Sequence, residues 1–113
     1  MHSVTRHVAT IQGIYFLVTG LWPLISSRTF QMITGPKVDL WVVKATGLLI
    51  AVIGTVLLRS RPPSREIALL GALSAASLGA IDTWYAVKGR ISRIYLADAA
   101  AEALFIAGWK DRL

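Results

Sequence analysis

The sequence has no cysteine, few charged side chains and no catalytic signature motif. Without cysteine, the chain has no disulfide framework, no thiolate metal site and no cysteine nucleophile. Charged side chains make up 16% of the 113 residues and hydrophobic ones 55%, whereas soluble domains have about 25% charged and 45–50% apolar residues. This composition is typical of a chain embedded in lipid, and the length predicts one domain over residues 1–113.

Histidine is also scarce, since His2 and His7 are the two histidines of the chain and both lie near its start. A haem needs an axial ligand such as a histidine within a span, and zinc needs several nitrogen or sulfur ligands in one place. No G-x-S-x-G, P-loop or H-E-x-x-H pattern occurs. We therefore expect no cofactor and no metal site.

Four long apolar stretches lie between clusters of charged residues. They cover residues 8–27, 40–58, 66–88 and 92–109. A helix needs roughly 20 residues to cross the hydrocarbon core of a bilayer, and it satisfies its own backbone hydrogen bonds there. The pattern predicts an all-α integral membrane protein, an antiparallel bundle of four transmembrane helices. The fourth stretch is the shortest, and it spans only if its helix begins near Ser92.

Capping and turn residues mark the ends of these helices. Asp39, Ser64 and Ser92 are suited to cap the second, third and fourth helices, and Gly89 to end the third. These positions leave a hairpin of about three residues between the third and fourth helices. The first connection, 28–38, is too short to span and too apolar for a free loop. We expect it at the membrane interface, over the bundle.

The formal net charge is +6, and the basic residues flank the spans. Flanking basic side chains contact lipid head groups and form no separate basic face, so we expect membrane lipids as partners and no nucleic acid. The side with both termini carries six Lys or Arg residues and the other side five. The cluster Arg59, Arg61 and Arg65 favours cytoplasmic termini in the cytoplasmic membrane of a bacterium. The near balance leaves insertion in both orientations open.

Four ionisable residues fall inside the predicted spans, all toward the same membrane face. Counted along the helices from that face, Lys44, Asp82 and Asp98 lie about 8–10 Å deep and Glu102 about 15 Å deep. Asp98 and Glu102 are one turn apart on one helix face. Ionisable residues are costly inside a membrane and indicate a functional site. We predict a polar chamber whose ligand-binding residues are Asp98, Glu102, Asp82, Lys44, Tyr85 and Tyr95.

Stripes of small residues predict where the helices pack closely. The second helix carries Gly47, Ala51 and Gly54 on one face, and the third carries a similar stripe from Gly71 to Gly79. Small residues let helix backbones approach each other in a membrane. We therefore expect a bundle that is tightly packed at one end and open at the other, where aromatic residues rim the chamber.

A structural role for the ionisable residues is the alternative to a functional one. Lys44 would then pair with one carboxylate to fix the register of the helices. However, three acids against one lysine leave carboxyl groups unpaired, and such groups exchange protons in binding or in acid–base catalysis. The acids Asp82, Asp98 and Glu102 also offer oxygen ligands for a hard cation, but their spacing does not single one out.

Two resemblances exist at the level of architecture. In size and span count the chain resembles the small multidrug exporters, which work as pairs of four-helix chains. Those exporters carry their working glutamate in the first helix, where this chain has Gln12. The chamber is also similar to that of four-helix sterol isomerases and sigma-2 type receptors, which gather acids inside the membrane, although no motif aligns.

Three functions are compatible with the sequence. The first is binding or transport of a small amphipathic or cationic ligand, linked to protons on Asp98 and Glu102, by a homo-oligomer. The second is an accessory subunit of a larger membrane complex, in which a partner helix contacts the small-residue stripes. The third is a membrane enzyme that uses Asp82 and Glu102 as acid and base on a lipophilic substrate.

Overall fold

The chain is helical in the computed structural model, which describes residues 2–60 and 62–113. The helices are α1 (His2–Ile25), α2 (Ser27–Thr34), α3 (Leu40–Arg59), α4 (Arg65–Val87) and α5 (Ile94–Trp109), followed by a 3-10 turn at Lys110–Arg112. No strand occurs in the two described ranges. The all-α prediction is therefore confirmed. Arg61, used above for orientation, lies outside the described residues.

Three of the described helices are long and apolar enough to cross a membrane, where the sequence predicts four. They are Val4–Ile25, Leu40–Arg59 and Arg65–Val87. The fourth predicted span corresponds to α5, which has only 16 residues because it begins at Ile94. At the rise of an α-helix, 16 residues cover about 24 Å, less than the hydrocarbon core of about 30 Å.

The connection between α4 and α5 runs over residues 88–93 and is longer than the predicted hairpin. Gly89 has a φ of +73°, in the left-handed region that glycine favours at a helix end. The backbone N–H of Arg90 bonds to the carbonyl oxygen of Tyr85 at 2.9 Å, which closes the turn. The Ser92 hydroxyl accepts from the backbone N–H of Ile94, but Arg93 occupies the N-cap position.

The start of α4 is capped as the sequence predicts, whereas the start of α3 is not. The hydroxyl oxygen of Ser64 accepts a hydrogen bond from the backbone N–H of Ile67 at 3.2 Å. Asp39 occupies the N-cap position of α3, but its side chain makes no capping hydrogen bond. The carbonyl oxygen of Asp39 instead accepts from the backbone of the first turn.

Helices α1 and α3 pack antiparallel, backbone against backbone. A Cβ atom built on Gly13 would lie 2.9 Å from the carbonyl oxygen of Gly54, and one built on Gly54 would lie 2.7 Å from that of Gly13. About two helical turns further along α1, Gly20 faces Gly47 in the same manner. A Cβ atom built on Gly20 would also contact the backbone of Ala51. The predicted stripe on α3 is therefore a packing surface, and its partner is α1.

A buried polar network joins α1, α4 and α5 at one end of the bundle. The Gln12 side chain donates to the carbonyl oxygen of Gly71 at 2.9 Å and accepts from the indole N–H of Trp109 at 2.6 Å. Gln12 and Trp109 have no exposed surface, and Phe16 and Leu57 pack in the same cluster of buried residues. We call this region the closed end.

The first connection, which the sequence predicts to lie at the membrane interface, contains the short helix α2. Helix α1 continues through Pro23 to Ile25, and Ser26 then caps α2 by accepting from the backbone N–H of Thr29. The indole N–H of Trp22 donates to the Thr29 hydroxyl at 2.9 Å, and its ring contacts Phe30 edge to face. These contacts fold α2 back against the end of α1.

Candidate functional site: an acidic chamber

A cavity of about 670 Å³ lies between α1, α2, α3 and α5, opposite the closed end. We call this region the open end. Its wall is mainly apolar and aromatic, with polar side chains at a few positions. Aromatic side chains on it include Phe16, Trp22, Phe30 and Tyr95, and the carboxyl groups that reach it belong to Asp98 and Glu102. A mostly apolar cavity with a few convergent polar groups is typical of a small-molecule site.

Three carboxyl groups meet beside this cavity. Asp82 on α4 lies behind Asp98 and Glu102 on α5, and one carboxyl oxygen of each residue lies within 4.8 Å of those of the others. Asp82 is 6% exposed and Glu102 1%. Gly79 makes room for this approach, because a Cβ built there would lie 3.3 Å from the Cβ of Glu102. The structure thus brings together the three acids that the sequence analysis selects.

Tyr15 adds a hydroxyl group that the sequence analysis does not select. Its phenolic O–H donates a hydrogen bond to Oδ1 of Asp98, and its ring packs edge to face on Phe105. Tyr15 therefore connects α1 to the acids on α5. A signal for it exists in the sequence, since Gln12, Tyr15 and Thr19 lie on one face of a helix that is otherwise largely apolar.

Two carboxyl oxygens in this cluster have no hydrogen-bond partner in the described part of the chain. They are Oδ2 of Asp82 and Oε1 of Glu102, and both are buried. Carboxylates this close repel one another, so all three cannot be ionised at once without a counter-charge. The cluster can hold protons, a cationic group of a ligand or, through its oxygen atoms, a hard cation.

Lys44 and Tyr85 do not reach the chamber, contrary to the prediction. Lys44 is exposed, and neither residue is among those that line the cavity. Lys44 is the fifth residue of α3, and helical side chains lean toward the N-terminal end of their helix, which favours an exposed position for its ammonium. Tyr85 is 41% exposed, because three residues after Asp82 the helix has turned about 60° away from the buried face.

Tyr95 lines the chamber, and its ring lies beside Lys37. The sequence analysis treats Lys37 only as one of the basic residues that flank the spans. The Nζ atom of Lys37 is 5.0 Å from the centre of the Tyr95 ring and 5.9 Å from that of Phe30. Lys37 lies in the connection between α2 and α3 and is part of the cavity wall. The chamber therefore has a lysine, but it is Lys37 instead of Lys44.

A second cavity of about 640 Å³ is an open groove along the outer side of α4 and α5. Its wall consists largely of small side chains, including Ala76, Ala80 and Ala103, and Glu102 borders it as well as the chamber. Lys88 lies at one end, with its Nζ atom 4.7 Å from the centre of the Trp84 ring. Glu102 therefore borders both the groove and the chamber.

Comparison of the chain with protein-family models, with curated proteins and with solved structures finds no match.

Proposed function

We propose that the chain is a small integral membrane protein that binds or transports a small amphipathic or cationic molecule in its acidic chamber, in exchange for protons. In this proposal α5 crosses the membrane together with residues of the 88–93 connection, as the fourth span of the bundle. The carrying observation is the meeting of Asp82, Asp98 and Glu102 beside an apolar cavity, with two buried oxygens left without partners.

The charges around the cluster support this proposal. Helix α1 contributes the neutral phenol of Tyr15, α4 contributes Asp82, and α5 contributes Asp98 and Glu102. Helices α2 and α3 bring no charged side chain to the cavity, and Lys37 in the connection between them is the basic residue on its wall. An excess of acids in an apolar site favours either bound protons or a bound positive group, so each displaces the other.

The exchange of ligand for protons predicts the direction in which the binding affinity changes with pH. A cationic group binds the ionised cluster, so affinity falls as the pH falls and protons occupy the carboxyl groups. We expect purified protein in a non-ionic detergent to bind dodecylamine with an affinity that decreases at acid pH. In Glu102→Gln the affinity falls about tenfold or more and loses most of its pH dependence, since a charge-assisted contact is lost.

Glu66→Gln is the matched control, because it removes one carboxylate from an exposed position in the first turn of α4. It should leave both the affinity and its pH dependence unchanged. Isothermal titration calorimetry at several pH values measures these quantities for the parent and both variants. Equal, pH-independent affinity in the parent and in Glu102→Gln would contradict the proposal.

An accessory role in a larger membrane complex is the second candidate, and the outer groove favours it. Small side chains along α4 and α5 permit the close approach of another helix. Purification in mild detergent separates the two candidates. A co-purifying partner protein that covers the groove supports the accessory role, whereas a stable homo-oligomer without other proteins contradicts it. Acid–base catalysis by Asp82 and Glu102 stays a prediction from the sequence.

A further inference from the structure

Lys37 is held over the chamber by contacts on both its backbone and its side chain. Its backbone N–H donates to Oε1 of Gln31 at 2.9 Å, and its ammonium donates to the carbonyl oxygen of Thr34 at 3.1 Å. The ammonium also lies over the rings of Tyr95 and Phe30. This side chain is folded back against the protein and does not extend outward, as a lysine that only contacts lipid head groups would.

The ammonium of Lys37 has donors to spare. A lysine ammonium has three N–H donors. Among the described residues, the ammonium of Lys37 makes one hydrogen bond and two ring contacts, and it forms no ion pair. Lys37, Asp98 and Glu102 line the same cavity. The chamber wall thus carries a positive group with unused donors as well as its acids.

This arrangement is unfavourable to a ligand that carries only a positive charge. An ammonium bound at Asp98 would share the cavity with the ammonium of Lys37, and like charges in an apolar cavity repel. A ligand that carries both an amine and an anionic group would satisfy both kinds of side chain. Its amine would face Asp98 and Glu102, its anion would face Lys37, and its apolar chain would contact the cavity wall.

We propose that the chamber selects zwitterionic single-chain amphipaths, with Lys37 as the residue that binds their carboxylate or phosphate group. This inference rests on the proposed function and narrows its ligand class. It assigns a binding role to Lys37 and a positioning role to Gln31, which accepts the hydrogen bond from the backbone of Lys37.

Two probes with the same dodecyl chain test this selectivity. N-dodecyl-β-alanine carries a secondary amine and, a few bonds away, a carboxylate, whereas dodecylamine carries the amine alone. We expect the parent protein to bind N-dodecyl-β-alanine about tenfold more tightly than dodecylamine at neutral pH. In Lys37→Met this ratio should fall to about one, because the zwitterion loses its anion partner and the amine loses a repulsive neighbour. Lys37→Arg should keep most of the preference, since it retains the positive charge.

Lys88→Met is the matched control, because Lys88 also lies over an aromatic ring but borders the outer groove. It should leave the ratio of affinities unchanged, and a thermal unfolding midpoint measured for each variant verifies that it is folded. A parent that prefers dodecylamine, or an unchanged ratio in Lys37→Met, would overturn the selectivity while leaving the proposed function intact. If neither probe binds in a manner that depends on Glu102, the proposed function itself fails.

Discussion

The closed end and the open end of the bundle both bury polar side chains between α1, α4 and α5, but the buried amide of the closed end is fully partnered and the buried acids of the open end are not. Gln12 donates to the carbonyl oxygen of Gly71 at 2.9 Å and accepts from the indole N–H of Trp109 at 2.6 Å. At the open end, Asp82 and Glu102 each keep a buried oxygen without a partner among the described residues. The closed end therefore has the properties of a structural contact, whereas the acids of the open end keep hydrogen-bonding capacity that the described residues do not use.

This difference has an energetic meaning. A hydrogen bond between helices in a membrane contributes on average about 0.6 kcal/mol, and an unsatisfied buried polar group costs about 1–3 kcal/mol. A chain selected only for stability would replace the orphaned carboxyl groups with apolar side chains of similar size. We infer that the acids are present for a function other than packing. Substitutions at the two ends should therefore differ in their effects on stability and on ligand binding.

The largest effect is expected at the closed end from Trp109→Ala. Trp109 is fully buried, contacts Gly71 and donates to Gln12, so the substitution leaves a cavity and leaves Oε1 of Gln12 without its donor. We expect the free energy of unfolding to fall by about 3 kcal/mol. Unfolding in detergent micelles with increasing dodecyl sulfate measures this change. Trp84→Ala is the control, because Trp84 is 59% exposed; equal losses in the two variants would contradict a packed closed end.

A smaller loss is expected where α1 and α3 touch. A side chain at Gly20 would overlap the backbone of Gly47 and Ala51, so Gly20→Val must push the two helices apart. The expected cost is about 1–3 kcal/mol, measured in the same unfolding experiment. Gly79→Ala is the milder counterpart, because its new methyl group would lie 3.3 Å from the Cβ of Glu102 and at an ordinary contact distance of 3.9 Å from the nearest backbone atom, the carbonyl oxygen of Ala99. If Gly79→Ala lowered the free energy of unfolding as much as Gly20→Val, the close backbone contact between α1 and α3 would not be a particular source of stability.

The sequence predicts some of these features because they depend on spacing alone. The three long helices follow from the length of their apolar stretches, and the cap at Ser64 and the turn at Gly89 follow from local chemistry. The approach of Asp82 to Asp98 follows from their similar depth in successive helices, and Glu102 joins them because it lies one turn from Asp98 on the same helix face. These features need no knowledge of which helix packs on which.

The remaining features depend on tertiary contacts that periodicity does not encode. Lys37 enters the chamber because α2 folds back on α1, and the pattern of residues in a connection does not show that fold. Tyr15 reaches Asp98 because α1 packs beside α5. The depth of Lys44 along α3 predicts that it enters the chamber, but its side chain is exposed and does not line the cavity.

The paired substitutions Gln12→Leu and Glu102→Leu test the difference between the two ends most directly. Gln12→Leu removes two hydrogen bonds: it leaves the Trp109 N–H unpaired and takes away the second hydrogen bond to the Gly71 carbonyl, which keeps its bond within α4, so we expect a loss of about 1–2 kcal/mol in the free energy of unfolding. Glu102→Leu removes an orphaned oxygen from a crowded acidic cluster, so we expect no loss beyond about 0.5 kcal/mol, or a gain, together with the loss of dodecylamine binding. If Glu102→Leu unfolded as readily as Gln12→Leu and still bound the amine, the acids would be structural and the chamber would have no ligand-binding role.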